Sequence, residues 1–184
     1  MSLLQQILEE IHEAVSAVPE ERIEEAAAVL HEKRMQKDTR FFVYGEGRSG
    51  LMARAFAMRL MHIGYPVYVV GETITPSIQA EDVVIAISGS GSSKSVVDIA
   101  EKSVKTGAFV FAVTNRTDSP LAKASLQVFF VPGATKADQG AARHSIQLLS
   151  SLFDQCLHIL LDCLCLRLSR LEHKTEEDAR ARHF

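Results

Sequence analysis

The sequence predicts an α/β fold: a parallel sheet of five strands flanked by helices, in three layers. Three observations predict it. Short β-prone runs alternate with helical patterns through the middle of the chain, and that alternation builds right-handed parallel crossovers. The runs are apolar at nearly every position, the texture of strands covered on both faces. Two glycine-serine loops follow directly on two of the runs, where open α/β sheets bind ligands.

Leu4, Ile7, Leu8, Ile11 and Val15 recur at helical spacing with glutamates between them. A Glu- and Ala-rich helix follows Pro19 and reaches about Lys37. The β-prone runs are "RFFVYG", "YPVYVVG", "DVVIAIS", "AFVFAVT" and "LQVFFVP". Between the first two lies "RSGLMARAFAMRLMHIG", a helix ending at Gly64, a natural C-cap. Between the third and fourth lies "SSKSVVDIAEKSVKTG", a helix ending at Gly107, and before the fifth a short "SPLAKAS" helix. After Pro132 comes the polar loop "GATKADQGAARH". A long helix is expected from about Ser145 to Arg170, apolar almost all round: Leu148, Leu149, Leu152, Phe153, Cys156, Leu157, Leu160, Leu161, Leu164 and Leu168. A helix without a solvated face packs against a partner as well as its own core. The tail "EHKTEEDARARHF" is charged and expected to fray. The division is therefore N-terminal helices over 1–37, an α/β core with its last helix over 38–171, and a tail over 172–184, all one domain.

Composition narrows the function. A length of 184 residues suits one compact domain with a sizeable core, and 47% apolar residues argue against disorder. The net charge of −3, with no Lys/Arg cluster, offers nothing to nucleic acid or acidic membranes. No leader-like segment or bilayer-length apolar span is present, so the expected location is the cytoplasm. Cys156, Cys163 and Cys165 are an odd count in one apolar run without C-x-x-C spacing, which reads as reduced, buried thiols. Asp154, His158 and Asp162 recur at i, i+4, but one helix rarely supplies three usable metal ligands, so no metal is expected.

The first loop, "GEGRSG", sets Gly45, Gly47 and Gly50 in the dinucleotide-binding spacing, with Glu72 about 20 residues on where a ribose acid would stand. Alone, that motif is weak. The second loop, "SGSGSSKS", spans Ser88 to Ser95. Ser88, Ser90, Ser92 and Ser93 supply hydroxyls, Gly89 and Gly91 let the backbone approach closely, and Ser92 or Ser93 opens a helix whose free N–H groups attract anions. Capping accounts for one serine but not for four in six residues. A dinucleotide needs a base pocket and a long groove, whereas a sugar phosphate needs this cradle and a few polar groups. A phosphate is therefore expected among Ser49, Ser88, Ser90 and Ser93. Gly47, Arg48, Glu46 and Glu72 would shape the surrounding loops or meet sugar hydroxyls. Arg143 and His144 are further candidates.

Taken together, "GEGRSG", "AFAMRLMHIGY", "GETITP", "ISGSGSSKS" and "SIQLLSSLFDQ" resemble the sugar isomerase (SIS) domain family and, within it, the 6-phospho-3-hexuloisomerases, from about residue 2 to 171. The resemblance implies a flavodoxin-like sandwich without nucleotide or metal, and a homotetramer with sites near subunit interfaces. It implies interconversion of 3-hexulose 6-phosphate and fructose 6-phosphate, a step of the ribulose monophosphate route of formaldehyde assimilation. Ser49, Ser88 and Ser90 carry over by motif, His62 matches the histidine ending the family's first core helix, and Asp154 stands where the family has a glutamate. Leu148, Leu149 and Ser150 replace the family's Pro, Met and Gly. Ser92 and Ser93 stand for its Glu and Thr.

Moving a carbonyl between neighbouring carbons passes through an enediolate, which needs a general base, a proton shuttle and stabilisation of an oxyanion. Asp154 is expected as the carbon base and His62 as the shuttle or ring-opening acid–base, with the roles exchangeable. A histidine before Gly64 also serves simply to cap a helix end. The alternatives are another aldose–ketose isomerase of a phosphosugar, a silent sugar-phosphate-binding protein, and a dinucleotide oxidoreductase.

Overall fold

The structure, a computed structural model, describes residues 1–183. Two helices open the chain, α1 (Leu3–Ser16) and α2 (Glu20–Met35). Then follow β1 (Phe41–Gly45), α3 (Gly47–His62), β2 (Val67–Val69), β3 (Val83–Ile87), α4 (Lys94–Thr106), β4 (Phe109–Thr114), α5 (Pro120–Lys123), β5 (Gln127–Phe130), α6 (Ser151–Leu171) and α7 (Glu176–Arg180). All strand pairs are parallel, in the order β2-β1-β3-β4-β5. Phe41 stands opposite Val67 on one side and Val83 on the other.

Alternation along each strand feeds two cores. Phe41, Val43, Val83, Ile85 and Phe111 pack with α2, α3 and α6. Phe42, Val84, Ala86, Val110 and Ala112 pack with α4 and α5. Every residue of β3 is buried, which is why its sequence shows no polar alternation. Because α3 leaves β1 toward one face and α4 leaves β3 toward the other, the adjacent β1 and β3 form a topological switch point, and a crevice opens above their carboxyl ends. Among the described residues no helix is long and apolar enough to cross a membrane.

Three expectations need correction. The last helix begins at Ser151, not Ser145. Residues 145–150 have polar groups engaged elsewhere: Glu10 accepts from the Ile146 N–H at 2.7 Å and from the Ser145 hydroxyl at 2.7 Å, and the Arg143 guanidinium donates to the carbonyls of Gln147 and Leu149. Leu149, at φ 51, lies in the left-handed region and cannot continue a helix. Leu148 and Leu149 are 80% and 69% exposed, and α6 itself presents His158, Ile159, Asp162, Cys163 and Leu166 outward. The second correction is Cys163, which is exposed; only Cys156 and Cys165 are buried, and burial pushes the Cys156 thiol up to about 11. The third is the tail, which is helical over α7 because Thr175 and Asp178 form a capping box: Thr175 Oγ accepts from the Asp178 N–H at 3.2 Å, and the Asp178 carboxylate accepts from the Thr175 N–H at 2.8 Å.

Candidate functional site

One wall of the crevice comes from two helix N-termini. After β1 the chain turns at Gly47, φ 56, and enters α3, whose first turn carries Arg48 and Ser49. The first turn of α6 carries Asp154, only 2% exposed. Ser49 Oγ donates to Asp154 Oδ1 at 2.8 Å, and Arg48 Nε donates to Oδ2 at 3.2 Å. Burial pushes the Asp154 carboxyl above its ordinary range, while the Ser49 and Arg48 hydrogen bonds and the Arg48 charge pull the other way and only partly offset it. The result is a carboxylate of raised basicity in a fixed orientation, the property a general base needs.

The opposite wall is the serine loop. Ser88 is buried, and its Oγ donates to Ser93 Oγ at 3.2 Å. Ser90 Oγ accepts from the N–H and Oγ of Ser92 at 3.3 and 3.0 Å. Ser93 is the N-cap residue of α4 but makes no side-chain cap, so the first-turn amides of α4 stay open to an anion. Gly89 keeps the two walls together: a Cβ there would stand 3.0 Å from the Phe153 ring and 3.1 Å from Thr135 Cγ2. The cleft between the walls has a volume of about 230 Å³, with Leu149, Ser150 and Lys136 on its rim. A larger cavity of about 420 Å³ lies between α1 and the loops after β4 and β5. Its Arg116 is paired with Asp138, and it contains none of the serine donors.

The structure therefore brings Arg48, Ser49, Ser88, Ser90, Ser93 and Asp154 together. Ser49 changes place within that set, since it spends its proton on Asp154 rather than facing a phosphate as a donor. His62 does not join them. It ends α3, about 20 Å from Ser49 along the helix. There it is 3% exposed, its ring stacked on His183 at 5.3 Å, with Nδ1 3.4 Å from Arg59 Nη1. Burial first, then the Arg59 and His183 charges, hold its pKa below the usual imidazole value. Glu72 is exposed and paired with Arg54 at 3.1 Å, and Glu46 accepts from Tyr44 Oη at 3.4 Å. Arg143 braces backbone carbonyls, and His144 lines the larger cavity. His158 and Asp162 meet only at 3.7 Å on the surface of α6, and no metal-holding cluster exists among the described residues. Lys136 escaped the sequence reading. The signal was its loop, which leaves the carboxyl end of β5 just as the two glycine loops leave β1 and β3.

A model of the SIS domain matches residues 34–159. The chain belongs to the SIS domain family. Among SIS relatives, a Mycobacterium gastri 3-hexulose-6-phosphate isomerase is 44% identical over 140 residues, 76% of this chain and 69% of that protein. The Bacillus subtilis 3-hexulose-6-phosphate isomerase is 35% identical over 163 residues, 89% and 85% of the two chains. A Methanococcus jannaschii crystal structure, described as inferring 3-hexulose-6-phosphate isomerase function, superposes with a TM-score of 0.76 at 26% identity, covering 98% of this chain and 97% of that one.

Proposed function

We propose that the protein is a phosphosugar isomerase interconverting 3-hexulose 6-phosphate and fructose 6-phosphate, the substrates that go with the ribulose monophosphate pathway. The observation that carries this reading is Asp154: a buried carboxylate of raised basicity, facing a serine loop and an uncapped helix N-terminus across one small cleft. The relatives named above support the choice of sugar. In this reading the phosphate sits on Ser88, Ser90, Ser93 and the α4 amides. Asp154 takes the proton from the carbon next to the carbonyl and returns it to the neighbouring one. The two Arg48 nitrogens not used on Asp154 are free to stabilise the enediolate oxygens. His62 lies too far along α3 to serve the cleft of its own chain, so any part it plays needs a neighbouring copy.

The test is an assay with 3-hexulose 6-phosphate made in situ and fructose 6-phosphate detected. Absence of turnover overturns the reading. Within that assay, replacing Ser88 and Ser90 together by Ala is expected to raise KM by about tenfold or more, because the Ser90 hydroxyl, and the Ser88 hydroxyl once it turns from Ser93, would donate to a charged oxygen. An unchanged KM would remove the serine cradle.

The same reading makes the protein a homo-oligomer, a tetramer by its resemblance. Helix α1 buries no residue and exposes Leu3, Leu4 and Leu8, and Leu51 and Met58 of α3 and Leu148 and Leu149 are also exposed in the single chain. Light scattering at micromolar concentration is expected to give a multiple of 20.3 kDa. A single species of that mass would refute it.

A further inference from the structure

We infer that Lys136 is the cation that binds the anionic phosphate of the ligand in this cleft, held in place for that purpose by Asp138 and Arg143. The inference rests on the reading that the cleft takes a phosphosugar. Charge is the first support. Arg48, Asp154 and Lys136 are the charged residues that line the cleft. Arg48 is paired with Asp154, and Lys136 has no ion-pair partner among the described residues. The serine wall offers a phosphate dianion neutral donors and a helix end but no full positive charge. Lys136 supplies it, and a charge-assisted hydrogen bond is about twice as strong as a neutral one.

Positioning is the second support. A lysine on a floppy loop loses much of its binding energy to ordering. Lys136 is not on such a loop. Its own N–H donates to Ser150 Oγ at 3.0 Å, tying it to the start of α6. The preceding Thr135 is fully buried; its N–H and Oγ donate to Asp138 Oδ2 at 2.7 and 3.0 Å, and its carbonyl accepts from Arg143 Nη1 at 3.0 Å. Arg116 holds the other Asp138 oxygen. This bracing leaves the Lys136 side chain free while fixing the backbone from which it springs. Asp138 and Arg143 thus act through Lys136 and are positioning residues.

The experiment compares wild type, K136M, K136R and D138N in the isomerase assay, with inorganic phosphate as competitor. K136M is expected to raise both the substrate KM and the inhibition constant of inorganic phosphate by about 10–100-fold, the size of a hydrogen bond to a charged group. K136R, which keeps the charge, recovers most of both. D138N raises KM in the same direction and adds little to K136M in the double variant, as expected of residues acting through one group. Unchanged KM and inhibition constant in K136M overturn the inference. A fall in kcat with both constants unchanged overturns it too, since the ammonium would then act on the reacting carbons. If wild type does not isomerise at all, the functional reading fails separately, and calorimetric titration of wild type and K136M with inorganic phosphate still decides the role of Lys136.

Discussion

Asp154→Asn is expected to lower kcat by about 10²–10⁴, the contribution typical of general base catalysis. Asparagine matches the carboxylate in shape, so Ser49 keeps an acceptor at 2.8 Å and the first turn of α6 keeps its place. What is lost is the ability to accept a proton, and with it the Arg48 bond, since the amide nitrogen would face Arg48 Nε–H. The substrate KM is expected to change little, because the serine wall is untouched. The pH profile carries the same assignment. Burial raises the folded pKa of Asp154 despite the Ser49 and Arg48 bonds, so the carboxylate becomes protonated, and the base is lost, as pH falls through a value above the ordinary carboxylate range. The acid limb of kcat/KM for wild type should therefore lie above that range, and it should vanish in the residual activity of Asp154→Asn. Asp154→Glu, which restores the family's side chain, is expected to retain turnover far above the Asn variant. Wild-type turnover in Asp154→Asn would exclude the assignment outright.

Much of the fold was legible in the sequence because its strongest signals are local. Unbroken apolar runs and Gly64 and Gly107 after helices reflect burial on both sheet faces and left-handed C-caps, and neither depends on distant contacts. The start of α6 was not legible, because what unwinds residues 145–150 is Glu10, 136 residues from Ile146 in the chain. The helix α7 was legible in principle: its T-x-x-D capping box is written in the sequence, but the density of charge around it outweighed that signal. At the site, motif reasoning found Ser49 and Asp154 separately, but not that the one holds the other. It also placed His62 by family position, although a crossover helix that starts at the carboxyl end of β1 carries its last residue to the opposite end of the sheet. The glycine motif shows the same limit, since its spacing fits a pyrophosphate and a packing role equally well.

The packing role yields the second large effect. Gly50→Ala is expected to destabilise the protein by about 1–3 kcal/mol, the cost of overpacking a filled contact. For a chain of this size that is a fall in Tm of about 2–12 °C. A Cβ at Gly50 would stand 2.6 Å from the Gly45 carbonyl oxygen and 3.1 Å from its carbon. Both are backbone, so no side chain can swing aside; α3 must move away from the end of β1. Arg48 and Ser49 ride on that turn of α3, and they orient Asp154. A shift of about 1 Å in such a group is enough to cost about a hundredfold in rate. The variant should therefore lose activity well below its melting temperature, a loss that stability alone would not produce. Gly47→Ala provides the contrast. Nothing lies within 4 Å of a Cβ there, and the cost comes only from its φ of 56, about 1–2 kcal/mol in a non-glycine residue. It should melt earlier than wild type while retaining more activity than Gly50→Ala at equal loss of stability. If the two variants lose activity in parallel, close approach of α3 to β1 is not what aligns Asp154, and the third glycine of the motif answers to something else in the turn.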